Sequence, residues 1–172
     1  SSDLVAAALK VELEALYEIC SRNKLPDKLV KEGNSYRTPS ILPLGKSHTA
    51  VFLGNAVNIG IFKLEDGKIF VSYYCHVFGL IDTLKELSKR WGAYATANRK
   101  YLAVVKYNRM YKQSSASEEE LLKERDCCLL DYENLYPTAI RYQDFVLKNY
   151  KIVIERLEQY IKGRSEEHTS EL

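Results

Sequence analysis

Apolar residues recur at intervals of three and four in two parts of the chain. In the first part they occupy positions 4, 8, 11, 15, 16 and 19, which predicts an amphipathic helix over residues 3–22. Asp3 is of a residue type that caps helix N-termini, and Pro26 follows the predicted end of the helix. The N-terminal segment is therefore predicted to be a helix with one buried face.

The apolar period changes to two between residues 48 and 76. Apolar side chains alternate at positions 57, 59 and 61, and again at 69, 71, 73 and 75. Glu65, Asp66 and Gly67 lie between these runs, and an Asp-Gly pair tolerates the positive φ of a tight turn. The pattern predicts strands over 48–53, 55–64 and 68–77, and so a small antiparallel β-hairpin or meander over about 48–76.

The helical period returns near residue 78 and continues in two blocks. Positions 80, 81, 84, 87, 91 and 94 mark one helical face, while residues 101–107 fit either a continuation of that helix or a fourth strand. A second stripe runs from 121 to 161 behind Ser117 and Glu120, which have the spacing of a capping box. Pro137 interrupts this stripe, which therefore predicts either one bent helix or two helices near 117–133 and 137–162.

A stripe of this length needs another helix to cover it, either from residues 78–110 or from a second chain. The sequence therefore predicts a helix-dominated α+β fold: an N-terminal helix, the β-hairpin or meander, and long amphipathic helices packed antiparallel. Residues 23–47 connect the first helix to the hairpin, and Leu42 and Leu44 are expected to reach the core. We expect residues 1–163 to form a single globular domain or a fragment of a larger protein.

The last nine residues, 164–172, look foreign to the rest of the chain. Their back-translation resembles the ligation adapter of short-read sequencing, so we expect an adapter-derived tail that makes no packed contacts. Without this tail, the chain has 24 Lys and Arg residues against 20 Asp and Glu residues. That balance is too mild to imply binding to nucleic acid or to a membrane surface by its field alone.

Composition and cysteine spacing argue against several classes of protein. The hydrophobic content of 46% and the charged content of 28% are typical of a globular domain. The four cysteines include no CxxC pair, which argues against a zinc site or a disulfide framework. No apolar run reaches the roughly 18 residues that a membrane span requires. We therefore expect an intracellular, soluble protein with reduced, buried thiols and no cofactor.

Residues 129–140, with the sequence LLDYENLYPTAI, contain a candidate catalytic constellation. The segment resembles the start of the palm in family B DNA polymerases, where a strand ends in Asp and S-L-Y-P follows. That resemblance implies that Asp131 holds Mg²⁺ and that Tyr136 packs under the incoming sugar. The segment also resembles the NYN branch of PIN-like ribonucleases, whose first strand ends in D-x-x-N-L. This second resemblance implies that Asp131 binds a metal ion and that Asn134 orients it, an arrangement suited to phosphoryl transfer.

Two further groups of residues are candidates for catalysis or for ligand binding. His48 and His76 flank the predicted β region, and Cys75 adjoins His76. No third ligand residue lies at a spacing typical of a metal or catalytic site, so a structural role is favoured. Eight Lys and Arg residues lie between positions 85 and 112 with tyrosines interleaved. This pattern suits RNA or anionic lipid, and it also suits a solvated helix face.

These patterns favour a non-catalytic interaction or scaffold module. It would pair with a protein partner, or with a second copy of itself, through the helical face of residues 117–162. The alternative is a metal-dependent phosphoryl-transfer enzyme fragment centred on Asp131. One structural feature separates the two interpretations, because residues 129–131 are a strand in the enzyme and a helix in the interaction module.

Overall fold

The computed structural model describes residues 1–29, 31–32, 35–36, 44–113 and 116–170, with side chains described for 1–29, 44–113 and 116–163. Helices dominate the described residues. In chain order the elements are α1 (Ser2–Arg22), β1 (Lys31–Glu32), β2 (Ser35–Tyr36), a 3₁₀ helix (Lys46–Thr49), α2 (Ala50–Gly54), a second 3₁₀ helix (Ala56–Ile61), α3 (Leu64–Tyr111) and α4 (Ala116–Ser170).

The chain divides into two compact units. Unit 1 comprises Ser1–Ile81 together with Ile140–Leu172, and unit 2 comprises Asp82–Ala139. Both α3 and α4 contribute one part to unit 1 and the other part to unit 2. The expectation of one domain over residues 1–163 stays a prediction.

The N-terminal helix is confirmed, but it buries a different face from the predicted one. Leu4 and Val11, which the pattern placed on the buried side, are exposed. The residues of α1 that are buried are Ala6, Leu9, Leu13, Leu16 and Cys20. Apolar residues lie on more than one side of α1, so their period identifies the helix without identifying the side that packs.

The predicted β-hairpin or meander over 48–76 is absent, so the prediction of an α+β fold is wrong. The segment contains 3₁₀ helices, α2 and the first turns of α3. Asp66 and Gly67, the predicted turn, lie in the first turn of α3. Asp66 is only 4% exposed and accepts a hydrogen bond from Arg156 of α4 at 2.9 Å. The residue predicted to form a turn therefore joins two helices.

The density of apolar residues explains why the period of two was misleading. Along α3 the buried residues Phe70, Tyr73, Tyr74 and Val77 are spaced by three and four, as on a helix. Val71, which the alternation grouped with Tyr73, is exposed. A run this rich in apolar residues fits both periods, and packing selects the helical one.

The segment predicted as a connection, residues 23–47, is partly described. It contains the only strands among the described residues, β1 and β2, which pair antiparallel over two residues each. Leu44 is buried, as predicted, while Leu42 lies outside the described residues. Leu25 is held in unit 1 by Gln143 of α4, whose side chain both accepts from the Leu25 N–H at 2.8 Å and donates to the Leu25 carbonyl at 3.0 Å.

The two long helices pack against each other, as the sequence predicted. In unit 1, the Tyr73 hydroxyl donates to the Val146 carbonyl at 2.8 Å, while Asp66 pairs with Arg156 further along α4. Residues that come earlier in α3 therefore contact residues that come later in α4, so the two helices are antiparallel. On the predicted stripe, Leu157 is fully buried and Ile161 is only half-buried, whereas Glu155 and Lys162 are exposed.

Unit 2 consists of the antiparallel remainder of the same two helices. Arg90 donates to the Asp131 carbonyl at 2.8 Å, and Asn108 donates to the Glu118 carboxylate at 2.8 Å. Residues 101–107, which fitted either a helix or a strand, are helical. Leu129, predicted to be buried, is only half-buried. The buried side chains of this unit are Thr83, Leu84, Leu87, Tyr94, Ala97, Asn108, Tyr132, Tyr136 and Ala139.

The C-terminal helix is one element and not two. α4 runs from Ala116 to Ser170 with Pro137 inside it. Pro137 is exposed, and its missing N–H leaves the Glu133 carbonyl without the usual helical donor. The backbone of α4 continues past the predicted end near residue 162. The side chains of residues 164–172 lie outside the described part, so the expected lack of packed contacts there stays a prediction.

The four cysteines are free, but they are not all buried as the sequence analysis expected. Cys20 is buried, whereas Cys75 and Cys127 are exposed. Burial raises the pKa of the Cys20 thiol to about 11. Because the thiolate is the reactive form, Cys20 is protected by both its low accessibility and its protonation.

We predict that Cys75 and Cys127 react with Ellman's reagent in the native protein and that Cys20 reacts only after unfolding. Cys75 and Cys127 are accessible to the reagent, whereas burial shields Cys20 and raises the pKa of its thiol to about 11, so that Cys20 carries almost no thiolate at about pH 8. Mass spectrometry of peptides modified with and without urea measures the order of reaction. Rapid modification of Cys20 in the folded protein would contradict the burial of α1.

We predict opposite effects of alanine at two glycines of α3. A Cβ at Gly79 would lie 2.4 Å from the Tyr142 ring of α4, whereas a Cβ at Gly92 meets nothing within 4 Å. Gly92→Ala should stabilise the protein by about 0.5–1 kcal/mol, because glycine disfavours a helix interior. Gly79→Ala should lose about 1–3 kcal/mol to overpacking, which outweighs the same gain. Urea unfolding of both variants compares them, and equal gains would show that Tyr142 does not pack on Gly79.

Candidate functional site

An open apolar groove lies on unit 1 where the second 3₁₀ helix meets the first turns of α3. Its volume is about 680 Å³. We call it the α3 groove, and its lining residues are Ile59, Gly60, Phe62, Leu64, Gly67, Lys68, Val71 and Ser72. Lys68 is the one charged residue among these eight.

The wall of the α3 groove is anchored by Phe62, which follows the 3₁₀ helix. Phe62 is buried, and its ring meets Phe70 edge-on at a centroid distance of 5.0 Å and Tyr160 at 4.8 Å. These contacts tie the turn between the 3₁₀ helix and α3 to α4. The groove is therefore set by packed rings, and its shape does not depend on a ligand.

A hydrogen-bonded cluster beside Phe62 fixes the start of α3. The Lys63 N–H donates to the Tyr160 hydroxyl at 2.9 Å, and that hydroxyl donates to the Asp66 carboxylate at 2.6 Å. Burial, followed by the hydrogen bond to Asp66, raises the pKa of the Tyr160 hydroxyl, which favours its protonated, donating form. Arg156 pairs with the same carboxylate. Arg156 and Tyr160 thus compensate the charge of the Asp66 carboxylate, so Asp66 has a structural role.

The exposed apolar side chains of the α3 groove come mainly from one face of α3. Leu64 is 74% exposed and Val71 is 39% exposed, and they lie two helical turns apart with Lys68 between them. Ile61 is also exposed at the end of the 3₁₀ helix. Exposed apolar groups collected in a concave surface are typical of interaction sites, whereas single ones are not.

A second, smaller depression continues from the α3 groove toward α4. It has a volume of about 280 Å³ and shares Lys68 and Ser72 with the groove. Ile152 of α4 is exposed on it. Its other lining residues are Ile69, Tyr73, Phe145, Asn149 and Val153. The two depressions form one apolar surface of unit 1 with a single cation, Lys68, at their junction.

A third cavity, of about 410 Å³, is polar. It lies between the start of α1 and the C-terminal part of α4, and its lining residues are Ser2, Asp3, Lys63, Asp66, Gln159, Tyr160 and Gly163. Its buried acid, Asp66, is already held by Arg156 and Tyr160. These contacts stabilise the fold by holding the start of α3 against α4.

The residues of the predicted catalytic constellation are not brought together. Asp131, Asn134 and Tyr136 lie on α4, where the polymerase and ribonuclease resemblances require the end of a strand. Asp131 and Asn134 are exposed, and Tyr136 is buried with its ring 6.0 Å from that of Tyr132. Among the described residues, no group of three or more His, Cys, Asp or Glu side chains is placed to hold a metal ion.

His48 and His76 of unit 1 each have local partners. His48 lies in the first 3₁₀ helix, where its Nδ1 is 3.1 Å from the Gly45 nitrogen. His76 lies on α3, where its Nδ1 is 2.7 Å from the Ser72 carbonyl and its ring stacks on Phe145 at 3.5 Å. Both rings therefore have the structural role that the sequence favoured, while the neighbouring Cys75 is exposed.

The residues of the α3 groove were not identified from the sequence. Ile59 and Val71 were assigned to strands with one buried face, and Leu64 to the end of a strand. The sequence did contain one sign of this surface. Residues 48–76 have more apolar side chains than one buried helical face can hold, so some of them had to remain exposed.

Comparisons with protein-family models, with curated proteins and with solved structures each found no match to this chain. Within the described residues, no helix has an apolar stretch long enough to cross a bilayer.

We predict that Asp131 contributes little to stability and that Leu157 contributes much. Asp131→Asn should change the free energy of unfolding by less than about 0.5 kcal/mol, as at most exposed positions. Leu157→Ala, at a fully buried position, should cost about 2–5 kcal/mol. Urea unfolding measures both changes.

Calorimetric titration of the wild type with MgCl₂ and MnCl₂ extends this test to the enzyme alternative. We expect flat heats, because Asp131 is an exposed carboxylate on a helix and no group of three or more ligand side chains among the described residues is placed to hold a metal ion. Saturable binding that Asp131→Asn abolishes would instead support phosphoryl transfer.

Proposed function

We propose that this protein is a non-catalytic interaction module that binds an amphipathic helix of a partner protein in the α3 groove. The observation that carries the proposal is the exposed apolar surface that Leu64 and Val71 form in a groove of about 680 Å³. A groove of this kind buries the apolar face of a helix and leaves its polar face in water.

The sequence had suggested pairing through the helical face of residues 117–162. The apolar stripe of that region is buried within the chain itself, where Tyr132, Tyr136, Val146, Val153 and Leu157 pack. A stripe that α1 and α3 already cover is not open to a partner. The α3 groove is therefore the apolar surface that supports pairing with another protein.

The lining of the α3 groove indicates the chemistry of its partner. Leu64, Lys68 and Val71 lie along one face of α3, so a partner helix meets apolar, basic and apolar groups in turn. Apolar residues spaced at i, i+3 or i+4, and i+7 suit the two apolar positions. An acidic residue between them pairs with Lys68 and avoids burying an unpaired charge.

We predict that helical peptides selected from a phage-displayed library against the full chain have this pattern. Their binding should fall roughly tenfold or more in Leu64→Asp/Val71→Asp, because a carboxylate in the groove opposes apolar contact. The matched control is Leu4→Asp/Val11→Asp, which places the same two charges on exposed leucine and valine positions of α1.

Fluorescence polarisation with the selected peptides measures each affinity. The control variant should bind as the wild type does. Peptides that bind equally well to both double variants would place the interaction elsewhere and overturn the proposal. Circular dichroism confirms that each variant keeps its helical content, so a loss of binding is not a loss of fold.

A further inference from the structure

A basic face runs along the part of α3 that belongs to unit 2. Residues 87–112 contain seven Lys or Arg residues and no Asp or Glu. Of the seven, only Arg90 forms an ion pair with a described residue, Glu86 of the same helix, at 3.2 Å. Four exposed members, Lys89, Arg99, Lys100 and Lys106, share one side of α3 and form this basic face, while Arg109 lies further round the helix and Lys112 follows its end.

An acidic face lies on the part of α4 that belongs to the same unit. Residues 118–133 contain seven Asp or Glu residues against two Lys or Arg. Asp126 is paired with Arg125 at 3.1 Å. The exposed members of this acidic face are Glu119, Glu120, Glu124, Asp126 and Asp131.

Both faces also expose apolar groups that an interface would bury. On α3 these are Leu102, Tyr107, Met110 and Tyr111, and on α4 it is Leu130. Exposed ion pairs contribute little individually, so an interface that relies on charge also needs apolar contact. Lys100 to Arg109 and Glu120 to Asp131 each span roughly 15 Å of helix, so the charged segments match in length.

The charge balance of unit 2 identifies the kind of partner. The unit carries ten Lys or Arg residues and nine Asp or Glu residues, so it has almost no net charge. A polyanion such as nucleic acid or an anionic membrane would meet the basic face but would be repelled by the acidic one, with little long-range attraction. A second copy of this chain offers an acidic face that complements the basic face.

We propose that the basic face of α3 in one copy docks on the acidic face of α4 in a second copy. Because α3 and α4 pack against each other in unit 2, their solvent faces point in opposite directions. One copy therefore cannot use both faces on the same neighbour, and the contact is head-to-tail. Such a contact leaves one face free at each end, so copies add in an open row and association does not stop at a dimer.

Sedimentation velocity of the full chain tests the association. At about 0.1 M NaCl, the average mass should rise steadily with protein concentration and pass the dimer without a plateau. At about 1 M NaCl, where the screening length falls from about 10 Å to about 3 Å, association should weaken by roughly tenfold or more. A species that remains monomeric at both salt concentrations overturns the proposal.

Charge reversal supplies the sharper test. Lys100→Glu/Lys106→Glu places two carboxylates among the remaining cations of the basic face, and Glu124→Lys/Asp131→Lys places two cations among the remaining carboxylates of the acidic face, so each variant alone should associate much more weakly than the wild type. An equimolar mixture of the two should associate again, and so should one chain that carries all four substitutions. Failure of both rescues overturns the proposal, because complementary faces must restore association. A structural defect in either variant cannot by itself produce such a rescue.

A matched control and a polyanion complete the design. Lys24→Glu/Lys28→Glu, at exposed positions of unit 1, makes the same change in net charge and should associate as the wild type does. The groove variant Leu64→Asp/Val71→Asp should also associate normally, since it leaves unit 2 unchanged. If the wild type stays monomeric and binds a labelled single-stranded oligonucleotide or phosphatidylserine vesicles through Lys100 and Lys106, the basic face serves a polyanion and the proposal is wrong.

Discussion

Burial of the apolar stripe of α4 against α3 is the constraint on which both units depend. A long amphipathic helix gains most of its stability from the partner that covers its apolar side. In unit 1 the stripe contributes Val146, Val153 and Leu157 to the core, and in unit 2 it contributes Tyr132 and Tyr136. α1 covers a further part of it in unit 1, where Tyr17 stacks on Tyr150 of α4 at 3.9 Å. This packing also decides which surfaces of each unit stay exposed.

Tyrosine suits this core because its ring is apolar and its hydroxyl is a hydrogen-bond donor. The Tyr73 hydroxyl reaches the Val146 carbonyl, and the Tyr74 hydroxyl reaches Glu12 at 2.8 Å. Glu12 also accepts from the Val51 N–H at 2.7 Å, so one carboxylate joins α1, α2 and α3. Burial raises the pKa of both Tyr73 and Tyr74, which favours the protonated form that donates. Many of the 13 tyrosines of the chain thus serve the core and not an interface.

The surfaces left over by this packing differ between the units. Unit 1 keeps an apolar groove because the first turns of α3 have more apolar residues than α1 and α4 cover. Unit 2 keeps two charged faces because the two helical segments described in it, from α3 and α4, cover each other on one side only. Apolar and charged surfaces select different partners, since one binds by excluding water and the other by a salt-sensitive field.

The sequence by itself determined α1 and the helical stripe of α4, but it could not determine residues 48–76, which include the first turns of α3. Apolar residues at intervals of three and four were a reliable sign over residues 3–22 and 117–161, because no other regular structure places such residues on one side. Over 48–76 the apolar residues are dense enough to satisfy both a helix and a strand, and the Asp66-Gly67 pair suggested a turn. The choice was made by partners far away in the chain: Asp66 pairs with Arg156, 90 residues distant.

The candidate sites follow the same division. The motif around Asp131 suggested a strand, but Tyr132 and Tyr136 pack on one side of a helix and leave Asp131 on the other. The basic and acidic segments are visible in the sequence. Only the antiparallel packing of α3 and α4 places them on opposite sides of one unit. Leu64 and Val71 could not be distinguished from core residues, because an apolar side chain has the same sequence signature whether it is covered or exposed. A period reports which residues share a face, and only tertiary contacts decide which face is covered.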